Sequence, residues 1–379
     1  MTAFSFIGAA LVSASSGAAT PLYRLYQQSM HLSPLMISLV FAVYAISLLA
    51  ALLTIGGLSD YVGRRPVIFG GLLLNAAAMI LFAYASDVGQ LILARAVQGV
   101  CVGTATTAFG AAILDTDRKR GPLFNSITAF LGLMAGTLGA TVLVTFAPDP
   151  LHLVYEVLLA LTVVMMALLF VMPETVSRKA GALASLRPHV SVPAQSRAAL
   201  LRITPANIAT WALGGFALSL MPTVVATAMG VSAPWVGGAV VTTLLLAAAV
   251  TVGALRQLQA RRLLVLGTAA LAVGVVVTLL GIWQHGVAVL FAGSVIAGFG
   301  FGASFAGSLS ALLPTAEAHQ RAGLLATFYV QSYLAFSLPA LAAGVAVPYA
   351  GLDVVAYAYG AVVVVLSVMS MIAALRSAP

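Results

Sequence analysis

Few residues of this chain could do chemistry, because it holds only 9 Asp plus Glu and 17 Lys plus Arg among 379 residues. Asp60, Arg64 and Arg65 lie within six positions, between segments that carry no charge. Arg95 and Glu156 are the other ionisable residues of interest, since each falls inside a long apolar run. A carboxylate beside an arginine can break an ion pair or exchange a proton, so these residues predict movement of charge within an apolar chain.

The motifs of bond-making enzymes are absent from the sequence. It has no H-E-x-x-H pair, no nucleophile elbow, no phosphate loop followed by Lys and Ser or Thr, and no Cys/His cluster. The single cysteine, Cys101, excludes an intramolecular disulfide. We therefore expect no enzyme activity, no cofactor and no metal site. A channel would usually show a filter or charged rings, which are not found either.

The composition assigns the chain to the membrane. Hydrophobic residues make up 62% and charged residues 7% of it, whereas soluble domains are about 25% charged. About 20 apolar residues cross a bilayer as a helix, and the sequence contains twelve such segments. The predicted fold class is an all-α polytopic membrane protein with the lipid bilayer as its surroundings.

One long connector divides these segments into two sets of six. Residues 173–204 are basic, rich in Ser and Pro and weakly hydrophobic, as a linker between domains would be. We predict a six-helix bundle over 1–172, a cytoplasmic linker over 173–204 and a second six-helix bundle over 205–379.

The basic residues predict the orientation. Of the 17 Lys plus Arg, only Arg24 and Arg95 fall outside the connectors and termini that share one side of the membrane. The positive-inside rule places that side, with both termini, in the cytoplasm. This distribution explains the formal charge of +8 without a nucleic-acid partner. The excess of Arg over Lys and the many alanines suggest a GC-rich bacterium, and hence its cytoplasmic membrane.

The two halves repeat a pattern. The connector between the second and third segments carries Gly56, Leu58, Asp60, Gly63, Arg64 and Arg65. The equivalent connector of the second half carries Gly253, Leu255, Gln257, Ala260, Arg261 and Arg262 at the same spacings. Parallel repeats of six helices are the plan of one large class of secondary transporters.

The stretch "GGLSDYVGRRPVI" resembles the signature of the major facilitator superfamily between its second and third helices. Tyr61 departs from that signature, which usually has a basic residue there. The resemblance implies two pseudo-symmetric six-helix bundles and a latch that closes the cytoplasmic side in one conformation. We assign to this latch the residues Gly56, Leu58, Asp60, Gly63, Arg64, Arg65 and Asp115, the last ending the fourth segment on the same side. A hairpin that only sets topology is the alternative.

Two further stretches resemble the same family. "RAVQGVCVG" holds the arginine of the fourth helix, Arg95, and "GLMAGTLGAT" holds the packing glycines of the fifth helix, Gly132, Gly136 and Gly139. Thr137 stands where the family has a proline. The first segment lacks the acidic residue of many multidrug exporters, which leaves anionic or neutral substrates open.

Arg95 and Glu156 are predicted to lie in the outer part of the same half. A pair between them would offset the desolvation of the arginine, and Glu156 would then be the proton-binding group. A permanent structural ion pair is the alternative.

Helices 1, 4, 7 and 10 line the central cavity in the family. Helical spacing puts weakly polar and aromatic residues on one stripe of each of these segments. The predicted cavity residues are Ser16, Thr20, Gln98, Thr106, Asn207, Trp211, Phe301, Phe305 and Ser308. Helix packing is the alternative for each of them.

The sequence therefore predicts a monomeric secondary transporter that works by alternating access. Proton-coupled export of a small, partly apolar molecule is the main prediction. Proton-coupled uptake of a small organic solute and a non-transporting membrane sensor are the alternatives.

Overall fold

The computed structural model describes residues 1–376, and this part of the chain is helical without a strand. The long helices are α1 (Thr2–Met30), α2 (Pro34–Thr54), α3 (Arg64–Ala83), α4 (Val88–Thr116), α5 (Gly121–Phe146), α6 (Pro150–Leu169), α7 (Arg197–Ser219), α8 (Pro234–Ala254), α9 (Ala260–Trp283), α10 (Val287–Leu312), α11 (Arg321–Ala350) and α12 (Leu352–Arg376). Eleven of the described helices are long and apolar enough to cross a membrane, and α7 with its bent continuation Met221–Ala228 makes the twelfth. The predicted fold class is confirmed.

The helix ends follow from local chemistry. Ser33 caps α2 by accepting a hydrogen bond from the backbone N–H of Met36, and Pro34 opens that helix. Asp87 caps α4 in the same way through the N–H of Gln90. The chain bends by 53° where α7 meets its continuation, next to Pro222, whose ring lacks an N–H and cannot continue the helix regularly.

The chain divides into two compact units between Pro188 and His189. This boundary lies inside the predicted linker 173–204. Residues 197–204 were assigned to the linker but form the start of α7, because "RAALLRI" consists of good helix formers. A short helix, Ala182–Ser185, also lies within the linker. Residues 377–379, the end of the predicted second bundle, lie outside the described residues.

The same helix pairs pack in both units. In the first unit α1 contacts α4, α5 and α6, α2 contacts α4, and α3 contacts α4 and α6. In the second unit α7 contacts α10, α11 and α12, α8 contacts α10, and α9 contacts α10 and α12. Adding six to each helix number converts one set into the other. The repeat predicted from two connectors is therefore a repeat of the whole bundle.

Small residues let α1 and α5 approach closely. A Cβ added to Gly132 or Gly136 would collide with the backbone of α1 at Ala10 or Ala14. One added to Gly17 would collide with the backbone of α5 at Leu133. Close backbone approach through small residues is the usual packing of helices in a bilayer.

Thr137 supplies a hydrogen bond that α1 lacks. Pro21 lies inside α1 and has no N–H to donate to the carbonyl oxygen of Gly17, four residues earlier. The Thr137 hydroxyl donates to that oxygen over 3.1 Å. The residue that departs from the family pattern thus satisfies a carbonyl that would otherwise lie buried without a partner.

Gly139 was predicted to pack like Gly132 and Gly136, and this was wrong. Gly139 is exposed, and a Cβ there would meet no atom within 4 Å. The contact stripe runs in steps of four residues, so it continues through Ala140, which is 2% exposed.

We predict that Gly136→Ala destabilises the first unit by about 1–3 kcal/mol, since the added methyl group overlaps the backbone of α1. The measurement is the midpoint of thermal unfolding of the purified protein in detergent. Gly139→Ala is the matched control and should leave the midpoint unchanged or raise it slightly. Equal midpoints for the two variants would show that α1 can move away from α5 without loss.

Candidate functional site

Arg95 is buried in the first unit, 2% exposed, inside a cage of neutral groups near the start of α4 and the end of α3. Its guanidinium donates to the hydroxyl oxygen of Tyr23 and to the side-chain oxygen of Gln98. Its Cζ lies 5.3 Å, 5.1 Å and 5.6 Å from the ring centroids of Tyr23, Tyr44 and Phe82. These residues come from α1, α2, α3 and α4, so the cage depends on four helices.

The neutral cage only partly offsets the charge it encloses. Transferring a charge into a protein interior costs several kcal/mol, and each aromatic face returns about 0.5–2 kcal/mol. The Nε atom of Arg95 is buried without a hydrogen-bond partner among the described residues. Arginine keeps its positive charge in proteins. The cage therefore carries a net positive charge.

A network of hydrogen bonds holds Gln98, one of the cage residues, in place. The Gln98 amide donates to the Ser15 carbonyl over 2.9 Å. The Asn75 amide donates to the Ser15 hydroxyl over 3.1 Å and to the Thr162 hydroxyl over 2.9 Å. The oxygen of Asn75 faces the Cys101 sulfur at 3.7 Å. This network holds Gln98 in the orientation that presents its oxygen to the guanidinium.

The predicted pair between Arg95 and Glu156 is wrong. Glu156 is exposed, and none of the ion pairs among residues 1–376 includes either residue. Its neighbour Tyr155 points inward instead, stacks on Phe82 at 4.8 Å and accepts a hydrogen bond from Tyr26 over 3.1 Å. Successive residues on a helix point about 100° apart, so an inward Tyr155 turns Glu156 outward.

The other cavity residues predicted in the first unit lie near the cage or along α4. Ser16 and Thr20 are buried, 5% and 1% exposed. Ser16 donates to the carbonyl oxygen of Val12 on its own helix over 3.5 Å. Thr106 donates to the carbonyl of Val102 on its own helix over 2.6 Å, as expected of a residue with a packing role.

Arg64 is the centre of the predicted latch. It is 6% exposed, and its Nη1 donates to Asp60 over 2.5 Å and to the Ser59 hydroxyl over 2.7 Å. Its Nε donates to Asp115 over 2.9 Å. Unlike Arg95, this arginine has two carboxylate partners. Asp115 also accepts a hydrogen bond from the Thr175 hydroxyl over 3.0 Å.

Backbone geometry brings these side chains together. Gly63 has φ of 101°, a value that only glycine adopts readily, and it separates the short helix Ser59–Val62 from α3. Leu58 precedes the short helix. Gly56 faces α4, where an added Cβ would lie 3.5 Å from Thr107. Arg65 donates to the carbonyl oxygen of Phe170 over 3.1 Å, at the end of α6.

Glu174 belongs to the charge cluster around Arg64, and the sequence reasoning missed it. Its carboxylate accepts from the backbone N–H groups of Arg64 at 2.8 Å and Arg65 at 3.0 Å, the first residues of α3. It also accepts from Thr175 at 2.9 Å and Val176 at 3.3 Å. Burial raises the pKa of this carboxyl, but the four donors together hold it below its ordinary value. An acidic residue just after the sixth segment, on the side of Arg64, was the available signal.

The linker binds the same connector beyond Glu174. The backbone N–H of Lys179 donates to the carbonyl of Tyr61 over 2.9 Å, and its Nζ lies 4.9 Å from the centroid of the Tyr61 ring. Tyr61, which departs from the family signature, thus provides a ring face for a basic residue of the linker.

The second unit holds an aromatic group of residues from α7, α10 and α11. Trp211 lies 6.3 Å, 5.1 Å and 5.8 Å from the ring centroids of Phe305, Tyr333 and Phe336. Phe301 lies beside this group, near Gly214. The indole Nε1 of Trp211 is buried without an acceptor among residues 1–376. Tyr333 and Phe336 of α11 thus belong to the same aromatic group as the predicted residues Trp211 and Phe305.

Asn207 lies in a hydrogen-bonded chain below this aromatic group. Its amide donates to Gln331 over 2.9 Å and its oxygen accepts from the Ser332 hydroxyl over 3.1 Å. Gln331 in turn donates to the Thr204 hydroxyl over 2.9 Å. Ser308 is 1% exposed, and its hydroxyl has no partner in the described part of the chain.

We predict that Glu174→Gln lowers the unfolding midpoint at pH 7, because an amide nitrogen cannot accept from the N–H groups that face it. A carboxyl whose pKa is lowered by folding stabilises the fold above its ordinary pKa, and this contribution is lost as the pH falls through the lowered value. The difference between wild type and variant should therefore shrink below about pH 4. Glu317→Gln, at an exposed acid of the second unit, should change nothing. A difference that stays constant from pH 7 to pH 3.5 would contradict the capping role.

Known proteins match both the sequence and the fold. The family described as Major Facilitator Superfamily matches residues 5–258. Over 157 residues the chain is 28% identical to multidrug resistance protein MdtL of Citrobacter koseri, and over 156 residues 30% identical to MdtL of Escherichia coli O81. Each match covers 40% of this chain and 39% of the relative, so the chain spans about two fifths of the length of these relatives.

The solved structure of the human organic anion transporter MFSD10 (TETRAN) has the same fold. It superimposes with a TM-score of 0.70 over 97% of this chain and 98% of that one, at 18% sequence identity. Because the family match covers residues 5–258 and the candidate spans extend along nearly the whole chain, this multi-pass membrane protein belongs to the Major Facilitator Superfamily.

Proposed function

We propose that this protein exports a small, partly apolar molecule across a bacterial cytoplasmic membrane by alternating access of its two units. The aromatic group around Trp211 is the observation that carries the proposal. Three rings lie 5.1–6.3 Å from the Trp211 ring and offer flat apolar faces, and the buried indole N–H lacks an acceptor that a bound molecule could supply. The relatives named multidrug resistance proteins support export of such a molecule.

The proton gradient is the proposed driving force. Three carboxylates belong to the candidate spans, and Asp115 and Asp353 lie next to the helix ends. Glu156 alone lies more than one turn inside, so it is the proposed carrier, acting from the exposed face of α6 and not through a pair with Arg95.

We expect inside-out vesicles that contain the protein to accumulate amphipathic fluorescent molecules when respiration acidifies their lumen. Anionic, neutral and cationic fluorophores would be compared, with a protonophore to collapse the gradient. Glu156→Gln should abolish gradient-driven accumulation and still permit downhill exchange, whereas Asp353→Asn, at an exposed acid near the start of α12, should behave as wild type.

Gradient-driven loss of the fluorophore from these vesicles would favour uptake over export. Full accumulation by Glu156→Gln would remove this residue from the coupling role. Absence of flux in either direction for every fluorophore would contradict the transport proposal itself.

The charge cluster around Arg64 is the proposed cytoplasmic latch. Asp60 contributes to it from the half-exposed side, with 51% of its side chain accessible, so this contact can open at small cost. Glu174 and the following linker residues hold the N-terminus of α3 in the same place. In this proposal the cluster is intact in one transport state and separates in the other.

We predict that Asp60→Asn slows transport at saturating substrate without reducing the amount of protein in the membrane. Initial rates in vesicles, normalised to protein content, measure the effect. Asp87→Asn is the matched control, because asparagine also caps a helix and α4 should be unaffected. An unchanged rate for Asp60→Asn across substrate concentrations would leave Asp60 as a marker of topology only.

A further inference from the structure

The buried interior of the first unit lacks a counter-charge for Arg95. All 9 Asp plus Glu of the chain lie within residues 1–376, and none of them is buried. The partners of the guanidinium, Tyr23 and Gln98, are neutral, and its Nε has no partner among the described residues. A buried cation needs an anion or extensive hydrogen bonding to be stable, so the cage is electrostatically incomplete.

The shape of the cage indicates what would complete it. The rings of Tyr23, Tyr44 and Phe82 surround the guanidinium at 5.1–5.6 Å and are apolar apart from the two hydroxyls. The Phe82 ring stacks on the Tyr155 ring, with 4.8 Å between the ring centroids and an interplanar angle of 8°. A planar guanidinium binds the two oxygens of a carboxylate or the oxygens of a phosphate or sulfonate in pairs. Aromatic walls beside it bind an apolar body.

A purely structural role explains less of this arrangement. Leu or Met at position 95 would fill the same space without the desolvation cost, and a neutral side chain would need no cage. The network through Gln98, Ser15 and Asn75 positions one acceptor and leaves the Nε atom unmatched. The cage surrounds a positive charge with neutral groups and contains no negative charge. This is the arrangement expected of an anion-binding site that has no anion bound.

We propose that Arg95 binds an anionic group of the transported molecule, so that the substrate is an amphipathic organic anion. The inference rests on the proposed transport function, and it narrows the substrate to a carboxylate, sulfonate or phosphate on an apolar body. The anion replaces the neutral acceptors around the guanidinium when the cage opens. Export of such an anion is also favoured by the inside-negative membrane potential, in addition to any proton gradient.

The test is binding to the full-length protein purified in detergent, measured as the shift of its unfolding midpoint. The probes are 1-naphthoate, its neutral isostere 1-naphthamide, and potassium chloride alone. Naphthoate at about ten times its Kd should raise the midpoint by about 3 °C, whereas naphthamide should not. Arg95→Gln should lose the naphthoate shift, and Arg24→Gln, which changes the partly exposed arginine next to Tyr23, should keep it.

A second variant keeps the test decisive if Arg95→Gln does not fold. Tyr23→Phe retains the ring face and removes one neutral acceptor, so the freed N–H should bind naphthoate about fivefold more tightly. Looser binding by Tyr23→Phe would contradict the proposal. Equal shifts with naphthoate and naphthamide, or a naphthoate shift retained in Arg95→Gln, would overturn it.

The measurement with potassium chloride alone distinguishes binding of an inorganic anion from binding of an organic one. A shift with chloride alone, and no additional shift with naphthoate, would overturn the assignment of the anion to the substrate. Flux of neutral fluorophores in vesicles without carboxylate-specific binding would contradict this inference and leave the proposed function intact. Carboxylate-specific binding without any flux would contradict the proposed transport function and leave Arg95 as an anion-binding residue only.

Discussion

The burial of one uncompensated arginine is the constraint on which the first unit depends. Arg95 is 2% exposed, and the chain places no carboxylate in its interior to balance it. Its stability there depends on aromatic faces and neutral oxygens contributed by α1, α2, α3 and α4. Any motion that separates these helices exposes the guanidinium to water or to a ligand. The same contacts that stabilise the bundle therefore couple its helices to the state of one charge.

The charges of the two buried arginines of this unit are stabilised in different ways. Arg64, 6% exposed, lies between the carboxylates of Asp60 and Asp115, and 51% of the Asp60 side chain is accessible to solvent. Arg95 lies among rings in the apolar interior. An ion pair at a boundary is cheap to break because water solvates the separated charges, whereas a charge in the interior requires a replacement partner before it can move. The first arrangement suits a latch, and the second suits a binding site.

Backbone defects and side chains compensate each other at several points of the fold. Pro21 leaves the Gly17 carbonyl without a donor, and the Thr137 hydroxyl supplies one. The N-terminus of α3 begins without a side-chain cap of its own, and Glu174 provides one from the linker, 110 residues later. In the second unit the break near Pro222 bends the seventh span by 53°. These repairs use a few polar groups, because an apolar surrounding leaves each unpaired backbone group costly.

The sequence by itself determined the class, the number of spans, the repeat and the family. Those features depend on hydrophobic run lengths, on loop charge and on local spacing, which are set along the chain without reference to packing. Within the candidate site it identified Arg95, Gln98 and Trp211 as residues on the inner stripes of their helices. The charge cluster of Asp60, Arg64 and Asp115 could also be predicted from the sequence, because short spacing and a shared side of the membrane bring these groups together.

Only the tertiary structure decided which groups meet. It turned Glu156 outward and Tyr155 inward, because a helix rotates by about 100° per residue and its packing face is fixed by its neighbours. It placed Gly139 away from α1 while Gly136 touches it. It also brought Tyr23, Tyr44 and Phe82 around one guanidinium and Glu174 onto the start of α3, although none of these is close to its partner in sequence. Such contacts depend on how helices rotate and approach in three dimensions, which hydrophobic periodicity does not specify in a chain that is apolar on nearly every face.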